Sequence, residues 1–366
     1  MNCYLNYKKN ILQVMNAVRA YEGISVYHEE DEDIKQWLHK HKFQQVIVLL
    51  IDGMGTQSMK NYCISNGFLN SHYAKSVSTV YPPTTVAATT AVLTGKAPCE
   101  TAWLGWHQYF KDIDKHLLMF LNSDFYSNES YKNKNYTYEQ VPILPMVEEC
   151  NRKGIQAKEI YPAFREDGVS SFEELCGRLY NESKKQDTSY IYAYWDAYDT
   201  ICHMKGKSDK KSIQVLRDID MHLSKLGLSL SKDTGLIVLA DHGQIEVESK
   251  YLIDYPEIIE CLQTLPSIET RTLSFHIKDG YQKLFEERFT KHFQDCFVLF
   301  TREEVIQQHI FGYGTKHPKF YDFLGDYIAC ATSNIDLVYN EEYKLKGNHA
   351  GTTREELEIP IVLYPK

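Results

Sequence analysis

QVIVLLIDGMG, residues Gln45 to Gly55, decides how the rest of the chain is read. Gln45 to Ile51 is an unbroken run of β-branched residues and leucine, the pattern of a strand buried on both faces of a parallel sheet. Asp52-Gly53-Met54-Gly55 then turns the chain out at the strand's carboxyl end. The arrangement recurs twice: Ser189 to Trp195 leads to Asp199 and His203, and Leu236 to Ala240 leads to Asp241 and His242. A parallel α/β sheet gathers the carboxyl ends of its strands along one edge while helices cover its faces, so polar residues distant in sequence converge there. Between the last two strands, Ile213, Leu216, Ile219, Leu223 and Leu226 recur at amphipathic helical spacing and complete a βαβ pattern. The fold class expected is α/β, with a doubly wound, mostly parallel central sheet flanked by helices.

Outward from this core, residues 1–43 read as a mostly polar helical lead-in with Ile11, Val14, Met15 and Val18 on one face. Ser76 to Gly95 reads as an extended approach, two prolines and a small-residue helix from about Val86 to Leu93, with Thr85 at its beginning. Residues 97–140 are rich in Trp and Tyr without clean periodicity and read as a loop region over the carboxyl edge. From Tyr255 to Leu337 the character changes: an alternating segment from Arg271 to Ile277, an amphipathic helix from Tyr281 to His292, a short strand from Cys296 to Phe300, and the loop GYGTKHPKF. This stretch reads as a small inserted α/β cap. The expected division is a core of 1–254 and 338–366 with a cap of 255–337, the core closing on Glu358 to Tyr364.

At 366 residues the chain exceeds the usual single core of ~100–200 residues, and one interrupted domain fits better than two separate ones. A net charge of −9 without a strong basic run argues against polymeric nucleic acid and against an anionic membrane surface. No apolar stretch has the length of a signal-peptide core or of a membrane span, and a cytoplasmic location is the expectation. The nine cysteines are dispersed without a CxxC pair, which fits reduced thiols better than a disulfide framework or a Cys-based zinc site.

Asp52, Asp199, His203, Asp241 and His242 follow apolar runs, and a sixth such residue, His349, stands in the tail segment KGNHAG. Three carboxylates and three imidazoles suit Zn²⁺, with Mn²⁺ the substitute; Ca²⁺ would want more oxygens. Asp199 and His203 are one helical turn apart and share a face if that stretch is helical. Thr85 adds a hydroxyl at a helix start, and the combination points to metal-assisted attack on phosphorus. Singly, each residue has a plainer reading: Asp52 as a turn residue, Thr84 or Thr85 as a helix cap, His203 or His349 as an ordinary histidine. Trp103 and Trp106 read first as packing residues, although an aromatic wall would also suit a planar leaving group. Arg271, within Glu269-Thr270-Arg271, reads as structural.

Taken in order, IDG, TT, DxxxHxxG, DHG and GNHAG resemble the motifs of the alkaline phosphatase superfamily, and within it the nucleotide pyrophosphatase/phosphodiesterase-like branch. The motifs run from residue 46 to 364. The resemblance implies one metal on Asp52, Thr85, Asp241 and His242 and another on Asp199, His203 and His349. It implies that Thr85, counted back from Thr94-Gly95, is the nucleophile, with Thr84 the neighbouring alternative, and that a phospho-threonine intermediate forms. Where that branch carries an Asn three residues after the threonine, this chain has Ala88. The CxPxR pattern of the sulfatases is absent, and the phosphoglycerate mutases use Ser with a different ligand order. The function expected is therefore two-metal hydrolysis of a small phosphodiester or nucleotide pyrophosphate. A phosphomonoester or phosphonate hydrolase, or a metal-bound binding protein without turnover, are the alternatives.

Overall fold

The computed structural model describes residues 5–131, 135–185 and 187–366, so the first four residues of the lead-in lie outside the described residues. In chain order its first seven strands are β1 (Gln45–Ile51), β2 (Tyr73–Ser78), β3 (His107–Phe110), β4 (Lys115–Leu118), β5 (Gln156–Ile160), β6 (Thr188–Trp195) and β7 (Thr234–Leu239). The main sheet has six strands in the order β2, the terminal strand Glu358–Tyr364, β7, β1, β6 and β5. β1 pairs in parallel with β6 and β7, and β5 pairs in parallel with β6. The terminal strand runs antiparallel to both β2 and β7. Every residue of β1 is buried, which is why its sequence shows no alternation.

Register carries the candidate residues to one edge. Ile51 lies opposite Trp195 and Leu50 opposite Leu239, so the chain segments bearing Asp52, Asp199 and Asp241 leave the sheet side by side. Asp52 N–H prolongs the ladder to Trp195 O at 2.9 Å. Gly53 has φ +71°, and a Cβ there would meet Asp199 Oδ1 at 2.9 Å; the turn after β1 tolerates no side chain because the carboxylate is packed against it.

The lead-in is less peripheral than its composition suggests. Its first helix, Ile11–Tyr21, is buried from Ile11 to Arg19, because its polar residues are matched inside: Asn16 Nδ2 donates to Gly95 O at 2.8 Å and Arg19 pairs with Glu149. A second helix, Glu32–His41, packs on it. Among the described residues no helix is long and apolar enough to cross a membrane. The described cysteines are unpaired, and all except Cys296 are buried.

A second sheet of six strands is antiparallel throughout, in the order Phe297–Thr301, Tyr327–Ala331, Thr272–Phe275, Ser267–Ile268, β3 and β4. Its apolar face is covered by Phe285, Phe289 and Phe293 of the helix Gln282–Phe293. Two of its strands come from 107–118, where the sequence reads as a loop region; strands of only four residues are too short to show a period. The two sheets are tied by Arg271 at the start of one strand and Glu356 just before the terminal strand. Both side chains are fully buried and meet in a fork, Nε–Oε1 at 2.8 Å and Nη2–Oε2 at 3.0 Å. Arg271 also donates to the carbonyls of Ser333 and Ile335. Its role is structural, as the sequence suggests.

Removing one partner of such a pair leaves a buried charge without compensation. Arg271→Ala should lower the free energy of unfolding by about 3–5 kcal/mol in urea titrations, whereas Arg152→Ala, which breaks an exposed pair with Glu148, should change it little. Equal effects from the two would refute the tie between the sheets.

Candidate active site

At the carboxyl edge the structure brings all six Asp and His residues together. Asp52 is 2 % exposed, Asp199 8 % and Asp241 0 %, so three carboxylates stand out of water beside one another. Ligand atoms of Asp52, Asp241 and His242 lie within 4.8 Å of one another, as do those of Asp199, His242 and His349. His203 joins the second group through Asp199, with Nε2 3.0 Å from Oδ2. His242 therefore stands between the groups, and its ring stacks on that of His349 at 3.8 Å.

Each histidine is oriented in the same way. Nδ1 of His203 lies 2.8 Å from Gly347 O, Nδ1 of His242 3.0 Å from Gly243 O, and Nδ1 of His349 3.1 Å from Pro83 O. A carbonyl only accepts, so Nδ1 carries the proton, and a neutral ring then presents the Nε2 lone pair to the carboxylates. This is the orientation of an imidazole prepared to bind a metal ion.

The electrostatics favour a cation. Burial raises the Asp52 carboxyl well above the usual range, and repulsion by Asp241 and Asp199 adds to it. Asp241 is likewise raised by burial. Burial opposes ionisation of Asp199 too, but His203 beside it pulls it below the usual range. Although burial disfavours their charge, His203 is held up to about 9 by Asp199 and His242 up to about 10 by Asp241 and Asp52. His349, buried next to His242, is pushed well below its ordinary value. Among the described residues Asp52 Oδ1 accepts no hydrogen bond, although His242 Nε2 lies 3.2 Å from it. Oxygen and nitrogen donors of this kind, converging in a buried and electronegative cluster, fit divalent ions of the Zn²⁺ or Mn²⁺ class.

Thr85 opens the helix Thr85–Thr94, and its Oγ1 is 3.1 Å from His242 Nε2 and 3.4 Å from Asp52 Oδ2. Thr84 faces elsewhere: it occupies the helix-cap position without capping, because its hydroxyl donates to Glu269. Ala88 is fully buried and does not line the cavity. Several supporting groups were not legible in the sequence. Tyr194 OH donates to Asp52 Oδ2, Gln244 Nε2 to Asp199 Oδ1, and Thr89 Oγ1 to Asp241 Oδ2 at 3.3 Å. Tyr194 and Thr89 lie in apolar runs and Gln244 beside one, where a polar side chain needs a partner; that requirement is the signal that could have found them.

A cavity of about 540 Å³ opens over this cluster, with Thr85, Asp199, His203 and His349 on its floor and Trp106, Phe125, Glu269 and Tyr343 among its walls. Trp103 is instead fully buried, its Nε1 donating to Val141 O at 2.8 Å, which is a packing role. The GYGTKHPKF loop does not reach the cavity. Its glycines, Gly312 and Gly314, press on Ala97, Tyr7 and Glu100, and the segment Glu342 to Leu345 lines the cavity. A larger cavity, about 760 Å³ at Tyr138, Tyr161 and Arg165, contains none of these groups.

A sequence profile described as type I phosphodiesterase / nucleotide pyrophosphatase matches residues 123–352, more than half of the chain. The match takes in Asp199, His203, Asp241, His242 and His349 and begins after Asp52 and Thr85. No curated protein sequence matches the chain significantly. Among solved structures, an inactive form of murine ectonucleotide pyrophosphatase / phosphodiesterase 5 in complex with AMP superposes with a TM-score of 0.68 at 15 % identity, covering 87 % of each chain. Phosphonoacetate hydrolase from Sinorhizobium meliloti, in complex with phosphonoformate, gives 0.65 at 13 % identity over 88 % of this chain and 90 % of its own. At these identities the likeness establishes the fold.

Ions held by the folded state alone stabilise it by mass action, about 2.7 kcal/mol at a hundred times the dissociation constant. Zn²⁺ or Mn²⁺ added to chelator-treated protein should raise its thermal midpoint, and His242→Ala, which removes a donor common to both groups, should blunt the response more than His203→Ala. A midpoint indifferent to both ions would show that the cluster does not bind them.

Proposed function

We propose, from the premise that this chain belongs to the type I phosphodiesterase / nucleotide pyrophosphatase family of hydrolases, that it cleaves a small phosphodiester or nucleotide pyrophosphate through a threonine nucleophile and two divalent ions. The observation that carries this reading is the common orientation of His203, His242 and His349, each tied to a carbonyl through Nδ1 beside buried carboxylates. Asp52, Asp241 and His242 would hold one ion, with Thr85 beside them, and Asp199, His203 and His349 the other. When bound, two such ions supply the positive charge that acidifies a hydroxyl and offsets charge gathering on phosphoryl oxygens. Zn²⁺ suits this mixture of carboxylates and imidazoles, with Mn²⁺ as the substitute.

The chain's own groups do the rest. Thr85 Oγ, at the positive end of its helix, gives up its proton to solvent and attacks phosphorus; an Oγ–P bond forms as the bond to the leaving oxygen breaks and that oxygen departs as an oxyanion, giving phospho-threonine. Because Thr84 does not cap the helix, the amides of its first turn stay available to phosphoryl oxygens. Water then attacks the same phosphorus from the side vacated by the leaving group, and Thr85 is regenerated. Trp106, Phe125 and Tyr343 give the leaving group an aromatic wall, which suits a planar group such as a nucleobase. A diester or pyrophosphate is favoured because, among the described residues, no arginine lines the cavity to grip the extra charge of a phosphomonoester as a fork; its one lysine, Lys344, stands next to Glu342 and Tyr343 on the wall.

Thr85→Ala should abolish hydrolysis of bis-p-nitrophenyl phosphate while the protein keeps about two divalent ions per chain by elemental analysis, and Thr85→Ser should keep measurable turnover. A fully active Thr85→Ala with an inactive Thr84→Ala would move the nucleophile by one residue. Trp106→Ala should change the ranking of nucleotide and non-aromatic diesters; a uniform loss on every substrate would leave the wall without a part in selection.

A further inference from the structure

Glu269 is a charged group on the cavity wall that the proposed reaction leaves without a task. It follows the two-residue strand Ser267–Ile268 of the second sheet and faces the start of the helix that carries Thr85. Its Oε1 takes two donors, the Thr84 hydroxyl and the Trp106 backbone N–H at 2.7 Å. Its Oε2 accepts no hydrogen bond, and no lysine or arginine forms an ion pair with it, among the described residues. Ile268 before it has φ 82°, which a β-branched side chain rarely adopts, so surrounding packing holds this turn in place. Close approach contributes: a Cβ on Gly105 would lie 2.6 Å from Ile268 O. The carboxyl is thus fixed at one end, by the residue next to Thr85, and open to the cavity at the other.

We propose that Glu269 sets the charge preference of the cavity, its carboxylate disfavouring the dianionic phosphoryl group of a monoester and leaving monoanionic diesters as the preferred substrate class. The inference rests on the reading above, in which the phosphoryl group lies at Thr85. Like charges beside low-dielectric protein walls repel more strongly than in bulk water, and a monoester brings one more negative charge to the phosphoryl group than a diester does. Neither hydrogen bond to Oε1 requires that charge. An amide oxygen accepts both, so Glu269→Gln removes the repulsion and keeps the geometry.

The test compares wild-type, Glu269→Gln and Thr84→Val proteins on p-nitrophenyl phosphate and bis-p-nitrophenyl phosphate. At about pH 8 the monoester is a dianion and the carboxyl, raised by burial to about 7, is ionised. The ratio of kcat/KM for monoester over diester should rise about tenfold in Glu269→Gln, equivalent to about 1.4 kcal/mol, and should not rise in Thr84→Val, which loses the hydrogen bond but keeps the charge. In a Thr85→Ala background, adding Glu269→Gln should strengthen calorimetric binding of p-nitrophenyl phosphate relative to the diester by a similar factor. A binding shift without turnover in any protein would uphold the charge role and remove the hydrolytic reading. A change in the ratio of less than about threefold, or an equal change in Thr84→Val, would overturn the proposal.

Discussion

Three carboxylates, Asp52, Asp199 and Asp241, are held out of water beside one another, and their mutual repulsion is the constraint around which the carboxyl edge is built. Such a group costs several kcal/mol per ion unless positive charge and donors compensate it. The chain supplies compensation in layers. Tyr194, Gln244, Thr89 and the Gly53 N–H donate to the carboxylates, and His203 and His242 stand against them. Divalent ions held among these donors, as proposed, would balance what the protein groups leave. The glycine turn at Gly53, the register of β1 with β6 and β7, and the Arg271–Glu356 tie all keep that edge assembled.

The two sheets divide the work. The parallel sheet delivers Asp52, Asp241 and His242 at its strand ends and Asp199 and His203 on the helix Ala197–Lys205 that follows β6, while His349 follows the short strand Gly347–Asn348; the antiparallel sheet and the segment Glu342 to Leu345 deliver the cavity wall. Asn348 joins them: its Nδ2 donates to Thr270 and Asp336 on the wall side, while its Oδ1 accepts from the His349 N–H. On the proposed reading, a fold of this kind can hold the phosphoryl chemistry constant and vary the wall, since the charged cluster would meet only the group common to every ester.

The sequence exposed the core because strands buried on both faces need uninterrupted apolar runs, and a polar residue ending such a run stands out. Asp52 after Gln45–Ile51 and the pair Asp241-His242 after Thr234–Leu239 are legible for that reason. The wall was not. β3 and β4 are four residues each, and their partners on one side come from residues 267–268, far along the chain. The GYGTKHPKF loop, read in the sequence as part of the cap, packs through its glycines on Ala97 and Glu100. Glu269 stands in the sequence only as the first residue of Glu269-Thr270-Arg271, a segment read for its arginine, since a carboxylate in a short polar segment has no evident task until the fold sets it beside Thr84.

The account stands on Thr85 as the atom that takes the phosphoryl group. Single-turnover reaction with a diester carrying a labelled phosphoryl group, quenched in acid and mapped by peptide mass spectrometry, tests this most directly. The predicted result is a transient phosphate on Thr85, within the peptide that holds YPPTTVAATT. Phosphate on Thr84, or product released at full rate with no phosphorylated chain at any time, would contradict it.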